Sequence, residues 1–374
     1  MEQTVIEYFL NLIKIDSESK NEKATAEKLS NDLRAMGAEI KFDNAHEKVG
    51  GNVGNLYAFF PGKIEKTPLI FCAHMDTVKP GNGIKPQIKD DIIVSDGSTI
   101  LGSDDKSGIA EIIWGIKALQ ESDYPYAPLE LLFTISEEIG LLGAKNVDYS
   151  LLQGKIGYAM DGHEVGKIYI GAPSQKTMKF VVHGKESHAG IAPEKGINAI
   201  KVAADALAAM PSGRIDFETT CNVGLISGGK ATNIVPNEVV VEAEARSHNS
   251  AKLENLVQRM IDAFQTAVTK YEVDGVQAKV EIEVQDEYQN FRLTDDDEAV
   301  ILAKQAAKNL AIPYEGIIGG GGSDVNMFNK HGMKLAVGGT GMEHVHTVKE
   351  QIRCSDLELS ARWVSEIITL YSEK

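Results

Sequence analysis

The acids and imidazoles of this 374-residue chain that could do chemistry follow short apolar runs or open the helix after one. His74 and Asp76 follow PLIFCA, Glu137 and Glu138 follow LELLFTIS, and Asp161 follows IGYAM. Asp104 and Asp105 lie in GSDDKSG, just ahead of a helical pattern that begins near Ser107, while His344 and His346 follow MKLAVGG and a glycine-rich turn. Taken singly, each has an ordinary explanation: H-x-D as a surface loop, Glu137–Glu138 as a solvated pair, Asp104–Asp105 as a helix cap. Taken together, they form a donor set of imidazole and carboxylate without thiolate. That set suits zinc, cobalt or manganese and disfavours iron–sulfur, copper, calcium and magnesium. Burying Asp104, Glu138 and Asp161 side by side is very costly without cations. Two divalent ions bring four positive charges against these three carboxylates, and one hydroxide cancels the charge left over. Paired ions also acidify a water and polarise a carbonyl, and hydrolysis is the reaction class that uses both effects.

Such residues meet only if the strands ahead of them end on one side. NLYAFF, PLIFCAH, DIIVS, LELLFTI and IGYAM are apolar nearly throughout and share the chain with helical patterns, notably SGIAEIIWGIKALQES from Ser107 to Ser122. This predicts an α/β fold with a mostly parallel sheet and helices on both faces. In such a sheet the carboxyl ends of the strands form the binding crevice, so residues as far apart as 74 and 346 can converge there. Two amphipathic helices are expected near 3–15 and 20–36, the second closed by Gly37. From about Ser174 the order becomes QKTMKFVVHG (strand), EKGINAIKVAADALAAM (helix), CNVGLIS and NEVVVEAEARS (strands), AKLENLVQRMIDAFQTAV (helix), AKVEIEVQ (strand). That βαββαβ order is ferredoxin-like. After about Asn290 the α/β pattern resumes with DDDEAVILAKQAAKNLA, EGIIGG, MKLAVGG and a closing helix, DLELSARWVSEIITLYSEK. The chain therefore reads as a discontinuous domain, 1–174 and 291–374, interrupted by a second domain, 175–290.

Composition narrows the setting. Acids outnumber bases 54 to 38, a net charge of −16, which repels nucleic acid and anionic lipid and predicts neither as a partner. Cys72, Cys221 and Cys354 are odd in number and far apart, as suits a reducing compartment. The start, MEQTVIEYFLNLIKIDSESK, is acidic where a signal peptide is basic, and no apolar run reaches the ~18 residues of a membrane span. A cytoplasmic location is expected.

The ordered motifs FCAHMDTV, LGSDDKSGIAEI, ISEEIGLLGA, KESHAG, KATNIVP and GGGGSD resemble the co-catalytic dizinc metallopeptidases, nearly from end to end. That family includes peptidase T, glutamate carboxypeptidase, the aminoacylases and succinyl-diaminopimelate desuccinylase, and the peptidase T branch is the most similar. The resemblance implies a zinc-exopeptidase-like catalytic domain with an inserted lid and dimerisation domain. It also implies two zinc (or cobalt or manganese) ions per subunit, a short-peptide substrate and a homodimer formed through the lid. By position, Asp104 would bridge both metals, His74 and Asp161 would complete one, and Glu138 and His346 the other. His346 is preferred to His344 because H-T-V-K-E fits the family ligand better. Asp76 would steady the His74 imidazole. Glu137 would be the general base, taking a proton from the attacking water and returning it to the leaving amine. His188 would stabilise the oxyanion in the site of the partner subunit. Asn233 and Arg246 would bind polar groups of the substrate, Arg246 a carboxylate; the plain alternative for Arg246 is a pair with a neighbouring Glu. Gly321 and Ser323 would let backbone approach the substrate; a phosphate cradle there lacks its lysine. The pattern further implies a cis peptide between Asp104 and Asp105, and Ser136 stands where many relatives carry an acid. Aspartate at 161 resembles the aminopeptidase members, which points to release of the N-terminal residue of a tripeptide. The alternatives are an N-acyl amino acid deacylase or carboxypeptidase with the same centre, a catalytically silent dimeric metal-binding scaffold, and a nucleotide site on the glycines.

Overall fold

Leu69–His74 and Leu129–Thr134 are buried at every position, as strands covered on both faces must be. The one acid inside them, Glu130, is satisfied by the Tyr57 hydroxyl and by the Gln153 and Gly154 N–H groups. The two strands pair in parallel. Leu69–His74 also pairs in parallel with Ile156–Gly162, which pairs in parallel with Lys334–Gly339. These four are the middle of a sheet that runs Glu39–Phe42, Leu56–Phe60, Leu129–Thr134, Leu69–His74, Ile156–Gly162, Lys334–Gly339, Lys167–Ala172. Pairing turns antiparallel toward both edges, between Leu56–Phe60 and Leu129–Thr134 and between Lys334–Gly339 and Lys167–Ala172. The four parallel strands consequently end on one side of the sheet.

The structure, a computed structural model, describes residues 4–373. It divides into two units: one comprises the chain up to Gly171, Arg292–Gly319 and the chain from Ser323, the other Ala172–Phe291 with Gly320–Gly322. In the first unit the helix Ser103–Glu121 packs against Cys354–Glu373, and Gly115 permits the close crossing. A Cβ on Gly115 would stand 2.8 Å from Val364 and 2.9 Å from the Ala361 carbonyl. DIIVS, expected beside the main sheet, pairs instead as Ile92–Val94 with Gln87–Lys89 and Gln351–Arg353 in a separate three-stranded sheet. Only its middle residue is buried, so this strand is not sandwiched as the central ones are. Among the described residues no helix is long and apolar enough to cross a membrane.

The second unit holds, in order, Ser174–His183, the helix Ala199–Ala209, Thr219–Gly228, Glu238–Ser247, the helix Ser250–Val268 and Lys279–Tyr288. Its antiparallel sheet runs Gly213–Asp216, Thr219–Gly228, Glu238–Ser247, Ser174–His183, Lys279–Tyr288. Without the short Gly213–Asp216 arm, which sequence reasoning missed, this is the ferredoxin-like arrangement. Buried and more exposed residues alternate along Glu238–Ser247, because only one face of the sheet carries the core. At the centre of that core Phe180 from the sheet stacks on Phe264 from a helix, with ring centroids 4.0 Å apart and both side chains fully buried. Replacing Phe264 by Ala should destabilise this unit by about 3–5 kcal/mol. Denaturant unfolding followed on the second unit checks this, and a loss below ~1 kcal/mol would take the stack out of the core's energetics.

Candidate metal centre

Each parallel strand delivers an acid or imidazole at its carboxyl end. His74 is the last residue of Leu69–His74, and Asp161 lies one residue before the end of Ile156–Gly162. Glu137 and Glu138 follow Leu129–Thr134 after a turn in which Ser136 takes φ 51°. Lys334–Gly339 leads into a loop where His344 and His346 take φ 57° and 62°. Asp104 comes from the opening of Ser103–Glu121, where Asp104 and Asp105 leave the helical region and share a cis peptide.

Asp104 lies between two imidazoles. Its Oδ1 is 3.0 Å from His74 Nε2, and its Oδ2 is 3.2 Å from His346 Nε2. Asp161 Oδ1 approaches His74 Nε2 at 3.8 Å, and Glu138 Oε2 approaches His346 Nε2 at 2.9 Å. The two oxygens of one carboxylate thus face two imidazole–carboxylate pairs. His74, Asp104 and Glu138 offer donor atoms within 4.8 Å of one another, as do His74, Asp105 and Asp161. His346, not its neighbour His344, reaches this cluster.

A ring of buried polar groups fixes these side chains. His74 Nδ1 lies 2.9 Å from the Asp76 carbonyl, and a proton on Nδ1 leaves the Nε2 lone pair facing Asp104. The Asp76 carboxylate, expected to steady this imidazole, stands 3.5 Å from the same nitrogen. It also holds the next turn, accepting from Glu137 N–H at 2.9 Å, Glu138 N–H at 3.3 Å and the Ser19 hydroxyl at 2.7 Å. Glu22, which sequence reasoning passed over, accepts from both the N–H and the hydroxyl of Ser136 at 3.0 Å. Asp105 accepts from the His74 N–H at 3.1 Å, and Asp324 from the Thr134 hydroxyl at 2.5 Å.

The electrostatics call for cations. Burial opposes ionisation of Asp104, yet hydrogen bonds from His346 and His74 hold its carboxyl well below the usual range. Burial pushes Glu137, Glu138 and Asp161 upward, and repulsion adds to it, from Asp161 on Glu137 and from Asp104 on the other two. Glu138 Oε1 and Asp105 Oδ1 are buried without a hydrogen-bond partner, an expensive state for a carboxylate oxygen. Those bare oxygens, and a set of imidazole nitrogens and carboxylates, fit divalent metal ions. Cys72 lies inside its strand with its thiol pushed up by burial, so it stays protonated and outside the donor set.

The other candidates behave differently. In the second unit, Ser187–His188 pairs with Ile234–Val235, and the Ala189 N–H donates to the Asn233 carbonyl at 3.0 Å. His188 and Asn233 are therefore neighbours, both exposed, and His188 Nδ1 accepts from the Gly190 N–H at 3.2 Å. Arg246 does pair with its neighbour: Nε donates to Glu244 Oε1 at 3.2 Å and Nη2 to Oε2 at 2.9 Å. Gly321 lies beside the same guanidinium, since a Cβ there would stand 3.9 Å from Arg246 Nη1. Ser323 is the N-cap of Asp324–Lys330 in a capping box with Asn326, so its hydroxyl already has a structural task.

One acid set between two imidazole–carboxylate pairs, at the carboxyl edge of a parallel sheet, defines a candidate dinuclear hydrolase centre. A family profile described as a peptidase dimerisation domain matches residues 170–272, and one for M42 glutamyl aminopeptidase matches residues 87–177. The structure of aminopeptidase PepT from Bacillus cereus is 40% identical, with a TM-score of 0.89 over 97% of each chain. A tripeptidase from Staphylococcus aureus is 37% identical, with a TM-score of 0.95 over 100% of this chain and 99% of its own. The Bacillus subtilis protein YqjE is 41% identical over 98% of both chains. The chain belongs to the peptidase T-like M20 metallopeptidase family.

In the metal-free chain, hydrogen bonds to Asp104 and Glu138 raise the His346 imidazole to about 10. A base raised on folding contributes stability that is complete below its unfolded value, ~6.5 for imidazole, and is lost as pH climbs through the folded value. The stability difference between the chelated wild type and His346→Gln should be largest near pH ~6 and fade by pH ~10. Urea unfolding across that range tests this, and a difference that does not change with pH would contradict the ion-pair origin.

Proposed function

We propose that this protein is an aminopeptidase that releases the N-terminal residue of short peptides, tripeptides foremost, with two divalent metal ions, zinc or alternatively cobalt or manganese. The observation that carries it is the placement of Asp104, whose two oxygens face His74 with Asp161 and His346 with Glu138. In this reading His74 and Asp161 would hold one ion, Glu138 and His346 the other, and Asp104 would serve both. When bound, such a pair acidifies water and polarises the scissile carbonyl. The substrate class is supported by the two solved relatives, an aminopeptidase and a tripeptidase, at 40% and 37% identity.

Glu137 supplies the proton transfer. The Asp76 carboxylate pins its N–H, and burial raises its carboxyl, so the group readily takes a proton from water and passes it to the leaving amine. His188 is assigned to the oxyanion in the partner subunit's site and Asn233 to substrate polar groups. Arg246 is assigned to a substrate carboxylate, its guanidinium plane fixed by Glu244. The match to a dimerisation domain supports a homodimer formed through the second unit. Three free cysteines are compatible with a cytoplasmic setting.

Glu137→Gln should keep both metals by elemental analysis and lose about 10²–10⁴-fold in kcat; an active variant would discard the base. Chelation should abolish hydrolysis, and zinc should restore it. A panel of free-amine tripeptides and N-acetylated amino acids should show turnover of the former. Preference for the acetylated compounds would instead assign the centre to deacylation.

A further inference from the structure

His346 is about half exposed, so packing alone does not fix it. Its position depends on the loop from Glu343 to Gln351. The neck of that loop is closed by Glu343 N–H to the Gln351 carbonyl at 2.9 Å, the reciprocal bond at 3.0 Å, and Gln351 Nε2 to Glu343 Oε2 at 2.7 Å. Inside it the Thr347 hydroxyl donates to the His344 carbonyl at 2.7 Å, and the Glu350 N–H donates to the Thr347 carbonyl at 3.1 Å.

Glu350, 1% exposed, turns its carboxylate onto the segment that carries Asp104. Oε2 accepts from the N–H groups of Leu101 at 2.7 Å and Gly102 at 2.9 Å. Oε1 accepts from the Ser103 hydroxyl at 2.6 Å and the Asp104 N–H at 3.0 Å. Four donors fill the acceptor capacity of a carboxylate, and bonds to a charged acceptor are roughly twice as strong as neutral ones. A simple helix cap would serve the helix N–H groups alone. Glu350 also takes two N–H groups ahead of the helix, and it is anchored four residues beyond His346.

We infer that Glu350 is a positioning residue that locks the Asp104 segment to the His346 loop, so that two metal ligands from distant parts of the chain are presented as one preformed unit. The inference rests on the metal-centre assignment above and adds to it a residue that touches no metal. Gln at 350 would aim an amide N–H₂ at donors that need an acceptor, breaking the lock at constant size.

The test is a cobalt(II) titration of the metal-free wild type, Glu350→Gln and Ser103→Ala, read by calorimetry and visible absorption, with thermal unfolding of each metal-free protein alongside. Glu350→Gln should bind at least one cobalt about 10–100-fold more weakly and show an altered absorption spectrum. Ser103→Ala, which removes one donor of four, should lose about fivefold. If Glu350→Gln does not fold, Ser103→Ala decides alone. Variants that fold and keep wild-type cobalt affinity and spectrum, whatever their melting temperature, overturn the inference. A wild-type chain that takes up no cobalt overturns the metal-centre assignment instead.

Discussion

Repulsion among carboxylates at one sheet edge is the constraint to which the rest of the structure answers. Burial raises Glu137, Glu138 and Asp161, and each also feels another acid of the cluster, while Asp104 is held down only by two imidazoles. Carboxylates so placed either protonate or take up cations. Asp104 cannot serve as an idle protonated acid, because both of its oxygens are engaged by imidazole nitrogens. Divalent ions resolve the conflict, and the same charge density that quenches the repulsion makes the edge useful for hydrolysis.

Parallel strands are what allow this. Four of them end together, and each contributes a group at or beyond its last turn, so the donors share one edge although they are spread from 74 to 346. An antiparallel meander would have sent alternate groups to opposite edges. The chain leaves regular structure at or beside the donors, with Ser136, just ahead of Glu137 and Glu138, and His346 at positive φ and Asp104 outside the helical region. Such departures cost free energy and persist where neighbours over-determine them. Glu22 on Ser136, Asp76 on Glu137 and Glu138, and Glu350 on Asp104 are those neighbours.

This division explains what the sequence revealed. The central strands were legible because runs such as LIFCAH have no polar side, and a ligand placed directly after such a run inherits its position. The ferredoxin-like unit was legible from its βαββαβ element order, and the alternative of a neighbouring Glu for Arg246 follows because residues two apart share a strand face, as Glu244 does. DIIVS was misassigned because a short run carries no information about which sheet it joins. Glu22, Asp324 and Glu350 gained no role from the sequence, although Asp324 closes GGGGSD and Glu350 closes H-T-V-K-E. They act on partners 114, 190 and 246 positions away, and no local pattern names those partners. The part of Asp76 nearest to His74 proved to be its carbonyl, which no side-chain pattern encodes.

Anomalous diffraction at the zinc edge, from crystals grown with zinc, tests the central claim most directly. Two peaks ~3.5–4 Å apart are expected, both in contact with Asp104, one flanked by His74 and Asp161 and the other by Glu138 and His346. An active enzyme whose crystals show no metal at Asp104 would contradict the claim.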